Sequence, residues 1–370
     1  MTPTRPNPTR QAGLDRLHDF IPQMGSAYAH GRNTDQGPDR RQDVSMLSPY
    51  LRRRLITETE VVAAARQAHG EAAEKFVQEI AWRTYFKGWL EQHPSAWTAY
   101  LAGVKAGENR LATESGLRRV HHDACLGQAG IDGFDDWARE LVERNWLHNH
   151  ARMWFASIWI FTLRLPWEVG AAFFMRHLLD ADPASNTLSW RWVAGLHTRG
   201  KHYVARADNI ARYTAGRFDP RGQLDETPEP LTEAFEPARV PLPKASRLPE
   251  GGHALLLHDD DLHPEAAWLR DATEIAAFVT ASGASNVTSF AENAMADLEQ
   301  RLGRPVTRLQ PDAVAAWIAG RAKVVTPWAP VGANADILRD TPVLRVRRGW
   351  DDAIWPHAYA GYFKVKTNIP

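Results

Sequence analysis

Cysteine is almost absent from this chain of 370 residues, which contains a single one, Cys125. One thiol excludes a disulfide framework, a zinc site built from thiolates and an iron–sulfur cluster held by four cysteines. A net charge is also absent, because 44 basic residues are balanced by 44 acidic ones. The overall charge therefore gives no sign of nucleic-acid binding, although it is compatible with a local basic face. The cysteine usage predicts a protein of the reducing cytoplasm.

Long apolar runs are lacking as well. The best candidate, residues 155–165, lies between Arg152 and Pro166, is interrupted by Arg164 and is too short to cross a membrane. The first residues, MTPTRPNPTRQAG, contain no apolar segment of the kind that a secretory signal requires. We therefore expect no membrane association.

Clustered metal ligands are also missing. The triple Asp259, Asp260, Asp261 and the pair His121, His122 resemble ligands only superficially, because no second cluster stands nearby at metal-site spacing. We expect no metal.

The chain is long enough for about two domains. Residues 1–25, rich in Pro, Arg and Asn, predict an N-terminal extension that runs over the surface. Residues 26–217 read as helical almost throughout, and Thr57 with Glu60 forms a capping box at one helix start. Seven prolines interrupt residues 218–251, which predicts an extended linker or surface strap.

Strand-like and helix-like segments alternate in residues 252–370, which predicts a small α/β domain with a parallel sheet. The predicted strands lie in 253–261, 322–328 and 342–348, and the predicted helices in 287–302 and 311–320. The whole chain is expected to be mainly α, with an all-helical domain followed by this α/β domain.

The segment from Trp146 to Trp192 combines tryptophans with charged and amide side chains. Because an unpaired buried charge is costly, carboxylates among apolar helices need partners. A polar cofactor inside an apolar helical domain would explain both features. The polar groups of this segment are Asn149, Arg152, Asp180, Asp182 and Asn186.

Four spaced motifs resemble the photolyase/cryptochrome family, and specifically its helical FAD-binding domain. One such motif is a weak signal, whereas four in the family's order and spacing are a strong one. The resemblance runs from about Ala27 to Ala194, nearly half of the chain. The motifs are YAHGR at 28–32 with SMLSPYL at 45–51, EIAWRTY at 79–85, WLHNHARM at 146–153, and DADPASN at 180–186 with SWRW at 189–192.

The resemblance implies FAD as the cofactor. Ser45 and Ser48, at the start of a helix, would offer hydroxyl and N–H groups to the pyrophosphate. Asp180 and Asp182 would hold the flavin and ribose side, and Asn186 would lie beside flavin N5 and tune its chemistry. The full implied set is Tyr28, Ser45, Leu47, Ser48, Glu79, Arg83, Asn149, Arg152, Asp180, Asp182 and Asn186.

The resemblance also implies an activity, the light-driven repair of cyclobutane pyrimidine dimers in damaged DNA by electron transfer from reduced FAD. Trp82 and Trp192 would line the cavity that receives the flipped dinucleotide. Glu79, with a pKa raised by burial, would donate a hydrogen bond to a thymine carbonyl. Asn149 and Met153 match the dimer-repair pattern, whereas enzymes for (6-4) photoproducts place histidines at these two positions.

An electron relay is implied as well, with Trp190 and Trp167 as its inner members. The family's outermost tryptophan has no counterpart near Ser115. Trp137, Trp154 or Trp159 could take its place, or the relay could end early.

A light-independent flavin-binding scaffold would need no relay, and the Trp167–Trp190 pair argues mildly against it. Two further alternatives stay open. One is a cryptochrome-like blue-light photoreceptor without repair activity. The other is repair of (6-4) photoproducts, because His148 and His150 flank the repair positions. No particular protein partner is predicted.

The chain also departs from the family. Only about 40 residues precede the SMLSPYL motif, so we expect the usual N-terminal antenna domain to be absent from that place, and an antenna chromophore is doubtful. Residues 252–370 are either an unrelated addition or a relocated counterpart of that domain. Two basic clusters are expected to form solvated faces or to contact DNA phosphates. They are Arg52, Arg53, Arg54 and Arg199, Lys201, His202.

Overall fold

The structure, a computed structural model, describes residues 6–281 and 283–370. It is mainly helical with a small parallel sheet, which confirms the predicted fold class. In the described part of the chain, no helix is both long and apolar enough to span a membrane. The helices are α1 Arg10–Phe20, α2 Ser26–Gly31, α3 Ser48–Arg52, α4 Glu58–His69, α5 Glu74–Gln92, α6 Ser95–Thr113, α7 Ser115–Leu126, α8 Phe134–Arg144, α9 Asn149–Ser157, α10 Trp167–His177, α11 Pro183–Ala194, α12 Ala207–Tyr213, α13 Ala266–Arg270, α14 Ser285–Leu302, α15 Val314–Ala319, α16 Ala333–Leu338, α17 Gly349–Ile354 and α18 Phe363–Lys366.

The chain divides into two compact units. Among the described residues, the first unit contains 26–44 and 95–238, and the second contains 6–25, 45–94 and 239–370. Each unit is thus assembled from separate stretches of chain, whereas the predicted segments 26–217, 218–251 and 252–370 are continuous.

The first unit is a helical bundle around the tryptophan-rich segment. Helix α10 packs against α6 and α11, and α9 packs against α11. Trp154, Trp159 and Trp190 are buried in its core. Removal of these large apolar surfaces from water is the main stabilising contribution here.

A five-stranded parallel sheet in the second unit has the order β3-β2-β1-β4-β5. The predicted strands correspond to β1, β4 and β5, whereas β2 and β3 were missed. Strand β2 contains Ala276 and Ala277, and alanine favours helix; its pairing with β1 overrides that preference. The strands are β1 His253–His258, β2 Ala272–Phe278, β3 Thr307–Leu309, β4 Val324–Pro327 and β5 Leu344–Val346.

The N-terminal prediction needs a correction. Residues 10–20 form α1, with the Thr9 hydroxyl accepting a hydrogen bond from the N–H of Ala12 at 3.1 Å. Leu17 and Phe20 of this helix are buried, so this part of the segment does not run loosely over the surface. Residues 1–5 of the predicted extension lie outside the described part.

The capping box of α4 is present as predicted. The N–H of Thr57 donates to the Glu60 carboxylate at 2.8 Å, and the N–H of Glu60 donates to the Thr57 hydroxyl at 3.3 Å. Arg10 pairs with the same carboxylate. Although burial opposes it, these hydrogen bonds lower the pKa of Glu60 to about 2.

Arg52, Arg53 and Arg54 are buried, so the prediction of a solvated or DNA-contacting cluster is wrong for them. Arg52 pairs with Asp260 and Arg53 with Asp259, just beyond the end of β1. Arg54 lies 3.4 Å from Asp261, 3.4 Å from Glu58 and 2.5 Å from Asp351. The acidic triple therefore meets the basic triple in one ion-pair array.

The proline-rich residues 218–251 contain no regular helix or strand, as expected for a strap. In the first unit, the Leu231 N–H donates to the Ala194 carbonyl at 3.0 Å. In the second, the N–H of Ser246 donates to the carbonyl of Arg345 at 2.8 Å. The strap is fastened by backbone hydrogen bonds.

Candidate functional site

The two predicted flavin-binding carboxylates of the first unit lie at the start of α11. Asp180 and Asp182 are 3% and 2% exposed. Arg152 donates two hydrogen bonds of 3.1 Å to the Asp180 carboxylate, one to each oxygen. Its Nε donates to the Leu147 carbonyl at 3.0 Å, which fixes the guanidinium plane. Bidentate geometry of this kind satisfies a buried carboxylate on one side and holds it in one orientation.

The first turn of α11 follows directly. Asp182 is its N-cap and accepts a hydrogen bond from the N–H of Ser185 at 2.8 Å. The buried Asn186 amide donates to the Ala171 carbonyl at 2.8 Å. Within the described part of the chain, the Ser185 Oγ and Thr187 Oγ1 atoms are buried and lack a hydrogen-bond partner. Because such hydroxyls are costly to bury, this turn fits a polar ligand such as a flavin nucleotide.

The neighbouring histidines are held in structural roles. His150 Nδ1 donates to the Asn33 carbonyl at 2.9 Å, and its Nε2 accepts from the Tyr203 hydroxyl at 3.3 Å. His148 Nδ1 accepts from the N–H of His150 at 3.1 Å and thereby caps α9. Burial lowers the pKa of both imidazoles, that of His148 to about 4. Both rings are therefore neutral at pH 7.

Three predicted repair residues belong to the first unit. Asn149 opens α9 and is exposed, and Met153, half-buried, stands one turn later on the same face. Trp192 is 36% exposed. Its ring stacks on that of Tyr203, with 5.6 Å between ring centroids and 27° between ring planes. One face of this indole is thus supported by protein.

The predicted relay tryptophans are both buried. Trp190 meets Trp159 edge-on at 6.3 Å. The ring centroid of Trp167 lies 5.7 Å from that of Tyr100. The Tyr100 centroid in turn lies 5.1 Å from that of the half-buried Trp97. None of the proposed outer substitutes reaches the surface, since Trp137, Trp154 and Trp159 are all 0% exposed.

Trp97 is therefore a candidate outer member of the proposed relay, and the sequence analysis did not name it. The sequence offered one sign of this residue. Trp97 stands three residues before Tyr100 on α6, a spacing that puts the two rings on one face of the helix.

Two predicted phosphate contacts belong to the second unit. Ser48 is the first residue of α3, and the buried Leu47 is its N-cap. The Ser45 carbonyl accepts a hydrogen bond from Arg16 Nε at 2.7 Å, and its hydroxyl accepts from the N–H of Leu47 at 3.4 Å. The backbone from Ser45 to Ser48 is therefore held in place. Tyr28, the further predicted contact, lies half-buried in α2 of the first unit.

Helix α5 of the second unit carries the remaining predicted residues, Glu79, Trp82 and Arg83, all half-buried. The indole of Trp82 stacks on Tyr362 with 3.7 Å between ring centroids and 9° between planes. Sequence reasoning missed Tyr362, because the two residues are far apart in the chain and no motif joins them.

Residues 76–226 match a family model described as the FAD binding domain of DNA photolyase. Over residues 76–226 the chain is therefore similar to the FAD-binding domain of the photolyase/cryptochrome family. This match confirms the resemblance found in the sequence, and with it FAD as the cofactor.

Curated relatives of this domain include two bacterial enzymes, both named deoxyribodipyrimidine photo-lyase. The protein of Streptomyces griseus is 32% identical over 179 residues, which are 45% of this chain and 38% of the relative. That of Agrobacterium fabrum is 30% identical over 196 residues, 51% of this chain and 38% of the relative. The chain thus spans less than half the length of these relatives.

A similar solved structure is that of a class III photolyase from Agrobacterium tumefaciens. It is 26% identical, with a TM-score of 0.46, and the match covers 56% of this chain and 43% of that one.

Proposed function

We propose that the protein repairs cyclobutane pyrimidine dimers in DNA by light-driven electron transfer from reduced FAD. The observation that carries the proposal is the ion pair of the half-buried Arg152 with the buried Asp180, beside the Asp182 cap and inside the segment that matches the photolyase family model. FAD supplies the electron that splits the dimer, and the protein supplies binding and orientation. A cytoplasmic location belongs to the same proposal.

The acid pair has a defined task in this proposal. Arg152 fixes the Asp180 carboxylate, so that its orientation is set before the cofactor binds. Asn186 is on α11, and its amide donates to the Ala171 carbonyl. Pre-ordered side chains of this kind reduce the entropy cost of binding. The remaining predicted contacts, including Tyr28, Ser45, Leu47, Ser48 and Arg83, are part of the proposal.

Base recognition in the first unit rests on Trp192 and Asn149. Trp192 is backed by Tyr203 and partly exposed, so it is suited to stack on a base taken out of the duplex. Such stacking contributes roughly 1–3 kcal/mol per base. The exposed Asn149 amide can donate to and accept from a base edge, and Met153 supplies an apolar contact one turn away.

Repair of a (6-4) photoproduct is less well supported. That reaction would require a histidine to give a proton to the lesion, and both ring nitrogens of His150 are engaged within the protein. His148 is buried, and because its pKa is lowered to about 4, its ring lacks the acidic imidazolium proton at neutral pH. The dimer is therefore the proposed lesion.

A cryptochrome-like photoreceptor without repair activity is the second candidate function. The contact between Trp82 and Tyr362 favours it, because one face of a proposed lesion-stacking indole is covered by the protein's own ring. A photoreceptor would not need that face.

A repair assay tests the first function against the second. The FAD-loaded protein, chemically reduced and illuminated with blue light, is expected to remove dimers from an irradiated oligothymidylate. Glu79→Ala should slow repair at least about tenfold, because a hydrogen bond to a charge-bearing group contributes roughly 1.5–3 kcal/mol. Glu71→Ala is the matched control, since Glu71 is exposed on the turn before α5.

Two results would overturn the proposal. Complete photoreduction of the flavin with no loss of dimers would transfer the assignment to a photoreceptor. A colourless protein that cannot be reconstituted with FAD would exclude both functions.

A further inference from the structure

The C-terminal segment of the second unit, residues 358–370, packs on α5, the helix that carries Glu79 and Trp82. The Tyr85 hydroxyl donates a hydrogen bond to the Ala360 carbonyl at 2.9 Å. In the opposite direction, the Tyr362 hydroxyl donates to the Gln78 carbonyl, also at 2.9 Å. These two bonds place the Tyr362 ring over one face of α5.

The contact between Tyr362 and Trp82 has the geometry of a stacked base. A centroid separation of 3.7 Å with an interplanar angle of 9° is face-to-face contact at van der Waals distance. Aromatic side chains in proteins more often meet offset or edge-on. Tyr85 shows the edge-on arrangement, because its ring plane is at 86° to that of Trp82 and at 85° to that of Tyr362.

The charge of Glu79 also affects the pKa of the Tyr362 hydroxyl. Burial is the first cause that raises the pKa of the Tyr362 hydroxyl, and the nearby charge of Glu79 is the second. Tyr362 is therefore close to both residues that the proposed function assigns to lesion recognition on this helix.

We propose that Tyr362 is an internal substitute for the flipped pyrimidine, so that its release from Trp82 gates lesion binding. The inference rests on the proposed repair function. It assigns the C-terminal segment a regulatory role, in which the protein's own ring and the damaged base compete for one indole face.

The segment that holds Tyr362 is suited to such an exchange. Its only helix, α18, has four residues, and the adjacent Phe363 is 83% exposed. Besides Tyr362 itself, its buried apolar residues are Ala358 and Val365. Because a base stacked on an aromatic ring replaces much of what the tyrosine ring contributes, the two occupants are comparable in strength.

The competition predicts tighter lesion binding when the tyrosine ring is removed. Apparent affinity is the intrinsic affinity multiplied by the fraction of molecules in the competent state. If the covered state holds about 90% of molecules, Tyr362→Ala binds the lesion about tenfold more tightly. Affinity for the undamaged strand should be unchanged, since no base is flipped onto Trp82.

The experiment uses the FAD-loaded full chain in the dark and a fluorescent single-stranded oligonucleotide with one thymine dimer. Fluorescence anisotropy gives the Kd for this strand and for its undamaged form. Phe363→Ala is the matched control, because this neighbouring ring is exposed. Tyr362→Phe keeps the ring and loses only the bond to Gln78, so its affinity should lie between those of the wild type and Tyr362→Ala.

A second measurement shows whether the indole is uncovered. Acrylamide quenching of tryptophan fluorescence should increase in Tyr362→Ala and stay unchanged in Phe363→Ala. Tyr362→Leu retains apolar packing and serves if the alanine variant does not fold.

The outcomes distinguish a failure of the proposed gate from a failure of the proposed repair function. Increased quenching with unchanged or weaker lesion binding would overturn the gate, even where the wild type repairs dimers normally. Failure of every variant to bind or repair dimers, despite normal FAD content, would refute the repair function and the gate together.

Discussion

A Cβ atom placed on Gly170 of α10 would stand 2.5 Å from Cη2 of Trp190. It would also stand 2.7 Å from Nε1 of Trp159. Real Cβ atoms do not approach other heavy atoms this closely, so the glycine allows both indoles to lie against the helix backbone. The position of Trp190, the proposed inner relay residue, thus depends on the absence of a side chain on the neighbouring helix.

Gly170→Ala is therefore expected to destabilise the protein. Alanine in a helix normally stabilises by about 0.5–1 kcal/mol relative to glycine. Here the added methyl group must displace buried rings, which costs about 1–3 kcal/mol, and the steric effect should dominate. Gly116→Ala on α7 is the control, since no atom lies within 4 Å of its added Cβ. Urea unfolding would contradict the argument if both substitutions were stabilising.

Arg54 is the second position with a clear expectation. Its guanidinium is buried among Glu58, Asp261 and Asp351. Arg54→Ala leaves these carboxylates without a principal partner, which should lower the free energy of unfolding by about 3–5 kcal/mol.

The matched control for Arg54 is Arg308→Ala. Arg308 pairs with Glu292 and Glu299 near the surface, where an exposed pair contributes at most about 1 kcal/mol. Equal losses in the two variants, measured by denaturant unfolding, would show that burial of the Arg54 array adds nothing.

Much of the fold could be predicted because the signals are local. The capping box at Thr57 needs only four neighbouring residues, and β1 and β4 are short apolar runs between turn residues. The pairing of Arg52 with Asp260 could not be predicted, because 208 residues separate the partners. Charged runs of this composition are usually solvated, and only the tertiary structure buries them together.

The candidate site divides in the same way. Asp180, Asp182 and Arg152 stand in motifs of contiguous sequence, so their residue types identify them. Tyr362 and Trp97 lie outside every motif, and their importance follows only from the rings that they contact. Roles that depend on long-range contacts are not visible in a single sequence.

His148 predicts how stability changes with pH. Its pKa is lowered to about 4, first by burial and then by neighbouring positive charge on His150, Arg152 and Arg41, against which Asp35 acts. The unfolded state has a pKa of about 6.5 and takes up a proton first as the pH falls. Unfolding is therefore favoured increasingly between pH 6.5 and about 4, with a slope of up to about one proton.

His148→Asn should reduce that slope while keeping the helix cap. Asparagine is a favoured N-cap residue, so its carbonyl can accept the His150 N–H in place of Nδ1. The free energy of unfolding, measured across this pH range, should fall less steeply in the variant. An unchanged slope would show that His148 does not take up a proton on unfolding.

The route of electrons to the flavin gives the last prediction. Trp190 is the proposed donor to light-excited FAD, and the Trp167, Tyr100 and Trp97 rings follow one another toward the surface at centroid distances of 5.7 and 5.1 Å. An external thiol is oxidised as the flavin is reduced, so loss of the proposed donor Trp190 or of the half-buried Trp97 should slow photoreduction. We expect Trp190→Phe and Trp97→Phe each to slow it about tenfold, equivalent to about 1.4 kcal/mol in the barrier, with FAD content unchanged. Trp317→Phe is the control, because Trp317 packs on Arg321 in the other unit. Normal photoreduction in Trp97→Phe would mean that electrons leave the protein by another route, whereas normal rates in Trp190→Phe would reduce that indole to a packing role.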